Sequence, residues 1–123
     1  MSRSVVAVVR TSPQTVLEDV GKAMRLAGYK KELSPKNDTA LKVNISWAKF
    51  YPACSTTPWQ MEGVIRTLLK DGWPKSNVHA CHNRTVVVSA VRGEKNNKQK
   101  MVVDAYGLRN VHLYRPEEEW VRY

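Results

Sequence analysis

The sequence predicts an α/β domain: a mostly parallel sheet with helices packed on it, arranged as a βαβαβ core followed by a β-rich segment, a short helix and a final strand. Three observations predict it. Short β-branched runs alternate along the chain with segments of helical periodicity. The strand at residues 4–10 (SVVAVVR) is apolar throughout, the pattern of a strand covered on both faces. The helix opening at Pro58 has an apolar stripe of Met61, Val64, Ile65, Leu68 and Leu69 and stops at Gly72 and Pro74. Strands that alternate with helices need crossover connections, which makes their pairing parallel and their crossovers right-handed.

The elements follow in order. After residues 4–10, Thr11 or Ser12 caps a helix with Pro13 in its first turn, and Val16, Val20, Ala23, Met24 and Ala27 recur at helical spacing until Gly28. Residues 30–38 are a polar connection. Residues 39–45 form the second strand, in which Leu41, Val43 and Ile45 alternate with Ala40, Lys42 and Asn44. The helix from Pro58 comes next, then a third strand at residues 77–81. Residues 85–91 (TVVVSAV) are a further β-rich run, residues 92–100 a polar loop, residues 101–106 a short helix stopped by Gly107, and residues 111–114 the last strand.

A chain of 123 residues fits one domain, residues 1–123, with enough length for a core that needs no disulfide or metal staple. Hydrophobic residues make up 42% and charged residues 25%, which excludes wholesale disorder and fibrous classes. Twenty Lys and Arg against eleven Asp and Glu give a net charge of +9, a bias toward phosphates, nucleic acid or acidic partners. The positive residues are scattered rather than blocked. Two cysteines, Cys54 and Cys81, make neither a disulfide framework nor a four-cysteine metal motif, and free thiols point to a reducing compartment. No stretch reaches the length of a membrane span and the apolar run near the start is too short for a secretory signal, so the expected location is cytoplasmic, with no membrane partner.

Ligands of open parallel sheets sit at the carboxyl ends of the strands, and here those ends carry the loop at residues 46–57 and the segment at residues 81–84. A small anionic ligand bearing phosphate or carboxylate is the expectation, with Lys42 supplying charge, Asn44 orientation, Thr56 and Thr57 the opening of the second helix, and His82 a further polar group. Thr57 serves equally as an ordinary helix cap. Cys54, His79, Cys81 and His82 are soft or borderline ligands whose spacing matches no metal motif, so they remain weak metal candidates. A thiol nucleophile with His82 as base lacks an orienting third residue. Trp47, Phe50, Tyr51 and Trp59 beside Lys49 could stack nucleobases, the nucleic-acid alternative, or cover a core. An incomplete sheet edge and the tail EEEW suit a homodimer or a partner chain. Phosphate-loop, HExxH, GxSxG and RNA-recognition signatures are absent, so whether the protein is an enzyme and which cofactor it uses stay open.

The chain resembles the bacterial and archaeal family numbered 362 among the domains of unknown function. The resemblance is carried by residues 5–10, LAGY at residues 26–29, the strand at residues 41–45 with Lys42 and Asn44 in a Lys-Pro-Asn-like pattern, and the Thr57-Pro58 helix start. Val43 stands where the family has proline. The resemblance implies an α/β fold and an amino-terminal portion, or a short version, of a longer domain. Some members carry ferredoxin-like iron-sulfur modules, whose cysteine clusters this chain does not have.

Overall fold

The structure is a computed structural model that describes residues 4–51 and 53–113. Helix α1 (Val16–Leu26) and a single turn, α2 (Tyr29–Glu32), precede strand β1 (Thr39–Lys42). Helix α3 (Pro58–Lys70) leads to β2 (Val78–His82), and α4 (Ala90–Asn96) with α5 (Gln99–Tyr106) leads to β3 (Arg109–His112). Among the described residues the sheet has three strands in the order β1-β2-β3, with both pairs parallel. The fold is α/β with a parallel sheet, and the unit from β1 to β3 is β-α-β-α-α-β, with two helices in its second crossover.

Local chemistry explains the boundaries. Thr57 caps α3 by accepting from the Gln60 amide, and Pro58 takes the first helical position, where a missing N–H costs nothing. Gly28, Gly72 and Gly107 follow α1, α3 and α5 with φ of +78°, +102° and +57°, the left-handed conformation that ends a helix cheaply only at glycine. Helices α1 and α3 pack closely: a Cβ on Gly63 would come within 2.8 Å of Val20, and one on Gly21 would overlap the Thr67 hydroxyl. Asp71, just after α3, binds Arg25 through two nitrogens at 3.0 Å and accepts from the Tyr29 hydroxyl at 2.6 Å. It thereby ties α1 and α2 to the end of α3.

The core lies between the sheet and α3 with α5. Ile65, Leu68, Val78, Ala80, Val102 and Val103 are all buried there, and Trp73 stacks at a tilt on Tyr29 with ring centroids 5.5 Å apart. Alternation along the strands sends Val78, Ala80 and His82 to this face. Lys42 and Cys81, which are register partners, go to the other face. That second face keeps Ala40, Lys42 and Arg109 exposed.

Several elements differ from the sequence expectation. Residues 4–10 have no regular secondary structure and belong to no strand, with Val5, Val6 and Val8 69%, 82% and 86% exposed. β-Propensity records how well a side chain suits a pleated, half-buried surface, and it forms no strand without a neighbour to pair with. α1 starts at Val16 rather than at Pro13 because residues 13–15 form a turn, held by the Thr15 and Val16 amides donating to Ser12 O. β1 ends at Lys42, although the Val43 amide still donates to Cys81 O at 2.8 Å. The largest difference lies at residues 85–100, where the expected β-rich run is a loop with Val86 fully exposed and the expected polar loop is α4. Ser89 caps α4 by accepting from the Arg92 amide, and a polar capped segment of this kind has no apolar stripe to reveal it. The final strand spans Arg109–His112; Tyr114 and the EEEW tail lie outside the described residues.

Candidate functional site

The carboxyl edge of the sheet is built from three strand ends, and the register sets His82 beside His112. The two imidazoles meet with centroids 4.7 Å apart and planes tilted by 57°. Above them α4 lowers Glu94 into the structure, with its side chain only 5% exposed. Gly93 makes this approach possible, because a Cβ there would overlap the Ile45 side chain.

One oxygen of Glu94 is the hub. Oε2 lies 2.7 Å from His82 Nε2 and 3.2 Å from His112 Nε2, and it accepts from the Asn110 amide nitrogen at 2.7 Å. Burial pushes His82 below the ordinary imidazole value, against the pull of Glu94. Burial pushes the Glu94 carboxyl up, but the Asn110, His82 and His112 hydrogen bonds outweigh it and hold the group below the usual carboxylate range. The pair therefore rests as an uncharged imidazole beside a carboxylate near neutral pH. Asn110 Oδ1 is buried without a hydrogen-bond partner.

A second set of polar groups fixes the loop over this edge. Gln99, 2% exposed, donates through Nε2 to Asn44 O at 3.2 Å and to Thr56 O at 2.7 Å. Asn97 donates to Trp47 O and Asn96 to Ala48 O. The base of the loop is cross-linked by the Thr56 amide to Asn44 O and by the Asn44 amide to the Thr56 hydroxyl. Its aromatic side chains still face outward, with Trp47, Phe50 and Tyr51 46%, 47% and 61% exposed.

No family model, curated protein or solved structure matches this chain. The resemblance to family 362 therefore stays a resemblance, and the site has to be read from its own atoms.

The residues singled out by sequence divide clearly. Lys42 and Thr56 line one cavity of about 270 Å³ with Gln60 and Met61, beside the outer edge of β1. Thr56 and Thr57 spend their hydroxyls on the Asn44 and Gln60 amides. With Pro58 lacking an N–H, the first turn of α3 is a poor anion cradle. The Asn44 side chain donates to Ser46 at 2.7 Å on the exposed surface. Of the four weak metal candidates only His82 joins a cluster: Cys54 is exposed in the loop, Cys81 lies on the opposite face of the sheet, and His79 pairs with Asp38 at 3.1 Å. Burial raises the Cys81 thiol above its usual value, which leaves it a poor nucleophile.

Glu94, His112 and Asn110 escaped the sequence reading. A signal did exist, since the buried positions of α4 and the residue that ends it are Ala90, Gly93, Glu94 and Asn97, a helical spacing. It is written in small and polar residues, which a search for apolar periodicity passes over.

Proposed function

We propose that this protein binds a small anionic molecule, bearing phosphate or carboxylate, at the carboxyl edge of its sheet. The observation that carries the reading is the shared cavity of Lys42 and Thr56, which joins the end of β1 to the approach of α3. Lys42 is exposed and donates only one short bond, to Val43 O at 3.1 Å, so its ammonium keeps donors for a ligand. Its positive field reaches His82 on the neighbouring strand and Cys81 opposite. Recruitment by charge, followed by orientation by a few polar groups in an otherwise apolar wall, is the ordinary division of labour in such pockets.

The test is a thermal-shift series of the purified chain with inorganic phosphate, sugar phosphates and dicarboxylates at two salt concentrations, in the presence of a chelator. A stabilisation that survives added salt and disappears in Lys42→Ala supports the site. A response confined to oligonucleotides and abolished by salt would move the function to the basic surface around Trp47, Phe50 and Tyr51, since counterion release dominates that kind of binding.

A second reading has its own observation. The exposed β-branched side chains of Val5, Val6 and Val8 lie on a segment outside the sheet, with the composition of a strand that pairs with another chain. Sedimentation of the intact protein and of a Val6→Pro variant tests this association: a dimer that the proline dissolves supports it, and a monomer in both cases removes it.

A further inference from the structure

We infer that His82, Glu94 and His112 form a binding site for a divalent first-row transition-metal ion, of which zinc is the representative probe. This inference is independent of the Lys42 reading and uses other residues. His82 Nε2, His112 Nε2 and a Glu94 oxygen lie within 4.8 Å of one another, and this is the one such group among the described residues. Two imidazole nitrogens with one carboxylate are borderline ligands suited to zinc, iron, cobalt or nickel, and they are poor for magnesium or calcium, which demand oxygen.

The ligand atoms are close enough for one ion to gather them once the side chains rearrange. Ligand atoms about 2.0–2.2 Å from a tetrahedral ion stand a little over 3 Å apart. The Glu94 oxygen is 3.2 Å from His112 Nε2 already and 2.7 Å from His82 Nε2, where it is drawn in by a hydrogen bond. The three ligand atoms spread over as much as 4.8 Å, so the imidazole rings must close in as the carboxylate turns aside. The ion then takes the place of the shared hydrogen bonds, each neutral imidazole moving its proton to Nδ1 so that Nε2 presents its lone pair.

The surroundings supply what such a site requires. Asn110 donates to the Glu94 oxygen and would hold the ligating carboxylate in orientation, the outer-shell support that metal ligands commonly have. His112, at 11% side-chain exposure, is the least buried of the three and marks the side from which an ion arrives. The charges nearby are cationic: Lys42 acts on His82 and Lys100 on Glu94. They oppose the metal modestly and favour anions for the coordination positions that the protein leaves to solvent.

The experiment uses the full chain, stripped with chelator and dialysed. Calorimetric titration with Zn²⁺ is expected to show one equivalent. Glu94→Gln and His112→Ala are expected to weaken it at least tenfold, while Cys54→Ser and His79→Ala leave it unchanged. Because Glu94→Gln disturbs a buried network, the wild-type protein carries an independent readout. The chain has three histidines, and zinc is expected to shift the imidazole nitrogen resonances of His82 and His112 but not those of His79. Cobalt substitution is expected to show no sulfur-to-metal charge transfer. Absence of binding, a shift at His79, thiolate bands, or full affinity in a folded His112→Ala would overturn the site. The phosphate response measured under chelator separates the two proposals: if it persists while zinc fails to bind, the metal site falls and the Lys42 reading stands.

Discussion

Two carboxylates organise this molecule, and they are held in opposite ways. Asp71 sits at the end of α3 and gathers Arg25, Lys30 and the Tyr29 hydroxyl, so its charge is balanced by two cations that are themselves half in solvent. Glu94 sits under α4 and gathers His82, Asn110 and His112, all three meeting the same carboxylate oxygen. The first arrangement is what a scaffold needs, because surface ion pairs tie elements together at little desolvation cost. The second keeps a negative charge in a buried place with two imidazoles around it. A fold that wanted only stability would do as well with apolar side chains of similar volume there. The difference separates the amino-terminal helices, which fix the frame, from the carboxyl edge, where buried polar groups are concentrated.

The sharpest way to break the comparison is to remove the buried hub. Glu94→Ala takes the common acceptor from three groups at once and leaves a cavity, and the expected loss is about 3 kcal/mol. In thermal denaturation that is about 10 °C for a chain of this size. A loss under 1 kcal/mol would mean that Glu94 is held no more tightly than a surface residue. Gly93→Ala is the subtler version. Its methyl group would meet the Ile45 side chain, so α4 must shift, at an expected cost of about 2 kcal/mol. All three proposed metal ligands remain in that variant, so a fall in zinc affinity without loss of a ligand would show that the placement of α4 sets the site.

The scaffold carboxylate is expected to matter most at neutral pH and less as acid is added. The Arg25 hydrogen bonds hold Asp71 well below the usual carboxylate range, with Tyr29 and Lys30 adding to the effect. A folded-state value depressed below the unfolded one stabilises the protein above the unfolded value and is lost as pH falls through it. Asp71→Asn is therefore expected to cost about 1–2 kcal/mol at pH 7, reduced by the exposure of its cationic partners. The gap from wild type should shrink below about pH 4, where the unfolded carboxylate takes up its proton. Urea denaturation of both proteins between pH 7 and pH 3 checks the sign: a gap that widens in acid would refute this account of Asp71.

How far the sequence could anticipate these two regions follows from what writes them. α3 was legible because its stripe of Met61, Ile65 and Leu68 is apolar and its ends carry Thr57, Pro58 and Gly72. Strand-helix alternation pointed to the carboxyl edge, and His82 does lie there, buried beside Glu94. Glu94 was not legible, because α4 with the residue that ends it buries Ala90, Gly93, Glu94 and Asn97 and therefore looks polar in sequence. Residues 85–88 misled in the other direction. Their valines suit a strand, but the Thr85 hydroxyl accepts from the Val88 amide and folds the segment into a turn. The segment at residues 4–10 teaches the same lesson, since pairing is decided by a neighbour that no local pattern specifies.

Lys42→Ala is expected to show the smallest effect on stability and the most selective one on binding. Its side chain is exposed, its one hydrogen bond is to a carbonyl one residue away, and it forms no ion pair among the described residues. Surface changes of this kind stay within about 0.5 kcal/mol. Its field nevertheless disfavours the charged form of His82, so it belongs electrostatically to the carboxyl edge and not to the scaffold. An unchanged melting midpoint together with a lost phosphate response would locate recruitment at the edge while the frame stays intact. A lowered midpoint without any change in phosphate response would mean that Lys42 supports β1, and the division between frame and edge would then have to be drawn beyond the first strand.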